Sequence, residues 1–158
     1  MDPTVWALFL PLGGLVIAGQ TLSEEFLFRG YIQSQLAARF AHPVIWMIAP
    51  ATLFGFAHYL PTLPTSAALG YVIIAAIFGL LAADLTARTG SIGAAWGFHF
   101  ANNTLAILIV ATEGSLTGLG LFRTPDTITD QLTLSPLIMI DIVVLLGIYA
   151  LIRRIVAR

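Results

Sequence analysis

Long apolar segments separated by short polar breaks dominate this sequence. Each is close to the roughly 20 residues that an α-helix needs to cross about 30 Å of hydrocarbon. Their polarity does not alternate, as it would in the strands of a transmembrane barrel. The sequence therefore predicts an all-α, polytopic transmembrane bundle of about six helices, in one membrane domain over residues 1–158. The candidate segments are 5–22, a mixed segment 23–40, 44–60, 67–85, 92–111 and 136–152.

The composition excludes several other classes of protein. Only 9% of the 158 residues are charged, whereas a soluble domain carries about a quarter. A net charge of -1 provides no basic surface for nucleic acid, so no nucleic-acid partner is expected. The chain has no cysteine, which removes disulfides, thiolate nucleophiles and cysteine-based zinc sites. Site chemistry is left to His, Asp, Glu, Ser and Thr.

The arginines indicate an orientation in the membrane. If the turn near His42 is cytoplasmic, the turn near Thr89 and the C-terminus are cytoplasmic too. That arrangement leaves Arg123 outside and follows the positive-inside rule. We therefore expect a multi-pass protein, in contact with membrane lipids, in the plasma membrane of a prokaryote with its C-terminus in the cytoplasm. The arginines placed inside are Arg39, Arg88, Arg153, Arg154 and Arg158.

Polar residues inside the apolar segments are the candidates for function, because a charge at mid-bilayer costs about 2.5–3.5 kcal/mol. The first group reads E-E-x-x-x-R. Glu25 and Arg29 share a helical face and can pair, whereas Glu24 points about 100° away and keeps its charge. Such a carboxylate in a polar cavity can take a proton from water. The alternative is a structural ion pair at a helix start, with Ser23 as the N-cap.

Two further groups contain histidine. Phe54 and His58 form F-x-x-x-H, and His99 and Asn103 lie four residues apart on one helical face. An imidazole and a carboxamide side by side can donate hydrogen bonds to one oxyanion. His58 alone is better explained as a histidine that is hydrogen-bonded to a neighbouring helix, whereas His99 and Asn103 alone fit function and adhesion between helices equally well. Together, in a chain with so few polar residues, they predict one polar cavity inside the bundle.

Packing adjacent helices as straight hairpins produces a conflict of depth. Antiparallel packing around the His42 turn puts Glu24 level with His58, near the outer end. The same packing around Thr89 puts His99 about 12 Å from the inner surface. We therefore expect the loop at 61–66 to dip inward or a helix to tilt. Asp84 lies four residues before Arg88 and is expected to be structural.

The ordered motifs resemble those of the CPBP family, the CAAX proteases and bacteriocin-processing enzymes also called the Abi family. The resemblance rests on residues 24–31, on 54–58, and on 89–92 ahead of His99 and Asn103. It covers about Leu22 to Leu108, which would be the catalytic core. Other protease signatures are missing: no H-E-x-x-H helix and no G-x-S-x-G elbow occur.

The resemblance implies an intramembrane endopeptidase acting on a peptide or protein, with lipidated substrates among the candidates. Glu24 would be the general base that activates water, and His58 would hold and polarise that water. The oxyanion would be stabilised by His99 and Asn103. Glu25 and Arg29 would shape the site, with Phe54 in support.

Zinc stays open as a cofactor at this stage. Glu24, His58 and His99 could ligate it and leave a fourth position free. Ligation would compete with the oxyanion role of His99, which favours chemistry without metal.

Two other functions are consistent with the sequence. The intramembrane acids and histidines could form the relay of a proton-coupled transporter or channel subunit. Transporters commonly show paired halves with broken helices, and no internal repeat is visible here. A non-catalytic immunity or scaffolding protein that kept the fold is the third reading, and the complete residue set argues against it.

Overall fold

The computed structural model describes residues 1–113, 118–127 and 136–156, and these are mostly helical. The predicted helical fold class is confirmed, but the predicted bundle of about six transmembrane helices is not. The helices are α1 (Pro3–Glu25), α2 (Ser34–Arg39), α3 (Pro43–Ala57), α4 (Thr65–Thr89), α5 (Gly93–Thr104) and α6 (Pro136–Val156). A π-helical segment, Phe26–Gln33, joins α1 to α2, and another, Leu105–Ile109, follows α5. The strands are β1 (Val110–Glu113) and β2 (Phe122–Thr127).

The first two predicted segments form one continuous helix, Pro3–Arg39. The predicted break after Leu22 is therefore wrong, because no Gly or Pro interrupts the helix there and Ser23 is not an N-cap. The Ser23 hydroxyl donates to the Gln20 carbonyl at 2.7 Å, within the helix. The true N-cap is Asp2, whose side chain accepts hydrogen bonds from the backbone N–H groups of Val5 and Thr4, and these bonds lower the pKa of Asp2.

α3 is shorter than the predicted segment 44–60. It begins after the turn at His42 and ends at His58, its C-cap. Its 15 residues rise only about 22 Å, less than a full span. The prediction of a full span over 44–60 is therefore wrong. The predicted conflict of depth does not arise, because Glu24 lies 3.9 Å from His58 and 3.8 Å from His99.

Two of the described helices are long and apolar enough to cross a membrane: Pro3–Arg39 and Thr65–Thr89. Large apolar side chains lie on the outside of the molecule, among them Leu8, Leu15 and Val143. An outer surface of this kind suits a hydrocarbon environment better than water.

The segment predicted as a helix over 92–111 ends in a strand instead. β1 and β2 pair in parallel, with Val110 opposite Phe122 and Ala111 opposite Arg123. Val110 and Thr112 are β-branched and favour extended backbone. The residues between the predicted segments 92–111 and 136–152 thus include strand β2, and 114–117 and 128–135 lie outside the described residues.

A buried cluster of aromatic side chains, next to the polar residues, packs the helices against one another. Phe28, Phe54, Phe78 and Phe98 form its centre. The rings of Phe78 and Phe98 are stacked with centroids 4.9 Å apart. α6 packs against the cluster through Leu145, Ile148 and Tyr149. The cluster therefore holds together the helices that carry Glu25, His58 and His99.

Replacing Gly55 by alanine is expected to destabilise the fold by about 1–3 kcal/mol, because the added methyl group overpacks the contact between α3 and α4. A Cβ at Gly55 would lie 2.6 Å from the Val72 carbonyl oxygen and 2.8 Å from the Ala76 Cβ. Thermal unfolding in detergent measures the effect. Gly19→Ala is the control, since no atom lies within 4 Å of a Cβ there. Equal melting temperatures for Gly55→Ala and the parent would contradict the tight contact.

Candidate active site

The structure brings the three polar motifs together at one place. Glu24 and Glu25 end α1, His58 caps α3 and His99 lies in α5. Glu24 Oε2 lies 3.9 Å from His58 Nε2 and 3.8 Å from His99 Nε2. The carboxylate of Glu24 therefore faces both imidazole rings.

Glu25 forms a fully buried network with Arg29 and His99. Its Oε1 accepts hydrogen bonds from Arg29 Nη1 at 2.9 Å and from His99 Nδ1 at 2.8 Å. Arg29 Nη2 also donates to the Gly79 carbonyl at 3.1 Å. With the proton on Nδ1, the carboxylate fixes the ring of His99 and leaves its Nε2 facing Glu24. The predicted pairing of Glu25 with Arg29 is thus seen in the structure, and the contact with His99 is additional to it.

His58 is oriented by its own helix. Its Nδ1 lies 2.8 Å from the Phe54 carbonyl oxygen. A carbonyl only accepts hydrogen bonds, so Nδ1 carries the proton and the neutral ring has its lone pair on Nε2. Both histidines therefore present Nε2 to the same oxygen of Glu24.

Asn103 reaches Glu24 through Gln20, a residue that the sequence analysis missed. Asn103 Nδ2 donates to Gln20 Oε1 at 3.2 Å, and Gln20 Nε2 donates to Glu24 Oε1. The signal for Gln20 was its spacing, since it lies four residues before Glu24 and shares a face with it. Asn103 also accepts from Asn102 Nδ2 at 3.2 Å, and its hydrogen bonds among the described residues do not include one to His99.

Phe54 forms the apolar wall of the site. Its ring is 2% exposed and lies 4.4 Å from the His58 ring and 5.8 Å from the His99 ring, measured between centroids. The Arg29 guanidinium carbon is 4.5 Å from the Phe54 centroid, a cation–π contact. Phe54 thereby restrains both imidazoles and covers the buried cation.

The gap between Glu24 and the two histidines has the size of a water-mediated contact. Glu24 Oε2 is buried and has no hydrogen-bond partner in the described residues. Separations of 3.8 and 3.9 Å are too long for direct hydrogen bonds and suit one molecule bridging the three atoms. A small polar molecule such as water fits the donors and acceptors that point there.

The same three side chains do not fit zinc as they are placed. Ligand atoms about 2.0–2.1 Å from a tetrahedral zinc lie about 3.3 Å from one another, closer than the 3.8 and 3.9 Å seen here. Among the described residues, no group of three His, Asp or Glu side chains has the arrangement to hold a metal ion. The zinc set of Glu24, His58 and His99 is not supported.

The predicted polar cavity around these groups is not confirmed. Two cavities outlined by described residues lie toward the other end of α4, beside Arg88 and beside Thr86. Aromatic side chains cover His99, whereas the side chains of Glu24 and His58 are 25% and 27% exposed.

These observations define a helical membrane protein with a carboxylate and two histidines at its centre. Residues 4–105 match the family described as Rce1-like, type II CAAX prenyl endopeptidase. The chain belongs to this family, and the predicted resemblance to CAAX proteases is confirmed. The family is one of endopeptidases, and the match does not favour the transporter alternative.

A relative in Bacillus subtilis (strain 168) is the uncharacterized protein YyaK. It is 27% identical to this chain over 114 residues, which cover 72% of this chain and 38% of YyaK. The chain thus spans well under half the length of that relative. No solved structure matches the chain.

Proposed function

We propose that this protein is an intramembrane endopeptidase in which Glu24 activates the attacking water. The observation that carries the proposal is the buried, unpartnered Oε2 of Glu24 between two Nε2 atoms. A general base must lie within hydrogen-bond reach of the water that it deprotonates. Water at this position would contact Glu24 and both histidines.

The proposed steps of hydrolysis follow from the proton positions that the hydrogen bonds of the site favour. Glu24 takes a proton from water while the water oxygen attacks the peptide carbonyl carbon, and His58 Nε2 accepts the second water hydrogen as a hydrogen bond. The carbonyl electron pair moves to oxygen and forms an oxyanion. As the C–N bond breaks, Glu24 returns its proton to the leaving amine.

Glu25 prepares His99 for the developing negative charge. In this proposal His99 takes a proton from bulk water before the peptide is attacked, so that the imidazolium donates through Nδ1 to Glu25 and through Nε2 to the oxyanion. The two carboxylates, Arg29 and charged His99 then sum to zero net charge. Asn103 Nδ2, which uses one hydrogen for Gln20, has a second for the oxyanion.

The substrate that we propose is a peptide reached from within the membrane. The description of the family names a CAAX prenyl endopeptidase, and a prenylated CAAX peptide is therefore the first candidate. Lipidation would bring such a peptide into contact with the apolar outer surface of the helices.

The test is cleavage of a peptide library by the purified chain in liposomes, with and without a chelator. We expect cleavage whose rate a chelator leaves unchanged, because the described side chains, as placed, form no group that could hold a metal ion. The library includes each prenylated peptide and its unprenylated counterpart, and mass spectrometry identifies the bond that is cut. No cleavage of any peptide contradicts the proposal. Loss with chelator and recovery with zinc contradicts the metal-free mechanism only.

A further inference from the structure

A second polar feature lies away from the carboxylate and histidines. A cavity of about 420 Å³ opens between the end of α4 and the last turns of α6. Three of its five lining residues are arginines. The lining residues are Arg88, Tyr149, Ala150, Arg153 and Arg154.

The cavity carries an excess of positive charge. Asp84 is the acid in contact with its lining, and its Oδ2 accepts from Arg88 Nε at 2.7 Å and from Tyr149 Oη at 2.7 Å. Arg153 Nε lies 4.0 Å from the same oxygen. Among the described residues, one carboxylate against three guanidinium groups leaves a charge of about +2 at physiological pH. Asp84 thus orients two arginines through Nε and leaves their outer nitrogens for another anion.

The surroundings of the cavity match a membrane boundary. α6 exposes apolar side chains, including Leu146, Leu151 and Ile155. The end of α2, near Arg39, lies at the same end of the molecule, since Ala37 and Thr86 line a shared cavity of about 310 Å³. An arginine cluster at the end of apolar helices is the setting in which membrane proteins bind anionic headgroups.

We propose that Arg88, Arg153 and Arg154 form a binding site for a phosphate group. The group belongs either to an anionic phospholipid, whose acyl chains would lie along α6, or to a soluble phosphate. Arginine forks match phosphate oxygens in geometry as well as in charge. This site is separate from the proposed peptide hydrolysis.

The experiment titrates delipidated full-length protein with short-chain phosphatidylglycerol, short-chain phosphatidylcholine and inorganic phosphate, and counts bound molecules by native mass spectrometry. The test variant is Arg153→Gln/Arg154→Gln. The control is Arg39→Gln/Arg123→Gln, which removes the same net charge elsewhere. We expect the test variant to bind phosphatidylglycerol about thirtyfold more weakly, and the control to match the parent.

Comparing the three ligands also identifies the source of the phosphate group. Weakened binding of phosphatidylglycerol alone assigns a lipid, and weakened binding of inorganic phosphate as well assigns a site for the phosphate group itself. Equal affinity for phosphatidylcholine, no binding of either anion, or equal losses in the test and control variants overturns the proposal.

Discussion

The Glu24→Gln protein is expected to fold normally and to cleave peptide about a thousandfold more slowly, within the range for loss of a general base. Glutamine has the same shape, and its amide oxygen can still accept the hydrogen bond from Gln20. It cannot take a proton from water between the two histidines. Initial rates with the best library peptide, at equal amounts of folded protein, measure the effect.

Asp2→Asn is the matched control for that substitution. It is also an acid-to-amide change beside the same helix, and asparagine is as good an N-cap as aspartate. Its rate should equal that of the parent. A parent-like rate for Glu24→Gln would exclude Glu24 as the base. Proton flux in liposomes that is lost in Glu24→Gln, with no peptide cleavage by the parent, would instead favour the relay of a transporter.

Local helical geometry made part of the site predictable. The spacing of Glu25 and Arg29 fixes them on one face, and the structure pairs them at 2.9 Å. The same geometry turns Glu24 away from Arg29. Neither result depends on how the helices pack, which is why sequence spacing was sufficient.

Contacts between segments that are far apart in the sequence could not be predicted from residue spacing. The hydrogen bond from His99 to Glu25 joins residues 74 apart, and it arises because α5 packs against α1. The spacing of His99 and Asn103 predicted that they would act side by side, whereas the structure joins Asn103 to Glu24 through Gln20. Which neighbour a polar side chain finds depends on the packing of the helices.

The helix ends were equally hard to predict. α3 stops at Ala57 although the next Pro is Pro61. The continuous helix changes to π-helical hydrogen bonding at Phe26, immediately after the two acids. π-helical turns frequently occur at functional sites, and here the change alters the directions of the side chains that follow Glu25. Apolar residues on all sides of a helix provide no periodicity that would reveal such a change.

The second large effect, on stability, is expected when the buried ion pair of Glu25 and Arg29 is broken. Replacing Arg29 by methionine alone should lower the free energy of unfolding by about 3–5 kcal/mol, because Glu25 would keep its charge in a fully buried position. The double variant Glu25→Gln/Arg29→Met removes both charges and should lose less than the sum of the two single changes. Unfolding in mixed micelles measures the three values.

The exposed pair Asp84 and Arg88 is the control, because it has the same spacing but both side chains are more than a fifth exposed. Arg88→Met should leave the free energy of unfolding close to that of the parent, because solvent screens an exposed ion pair. The rate of peptide cleavage then distinguishes a role of Glu25 in stability from a role in the reaction. The double variant should recover stability but not activity, because its glutamine cannot balance a charged His99 as the Glu25 carboxylate does. Recovery of the parent rate together with stability would mean that Glu25 serves the fold alone, and that the orientation of His99 does not depend on its charge.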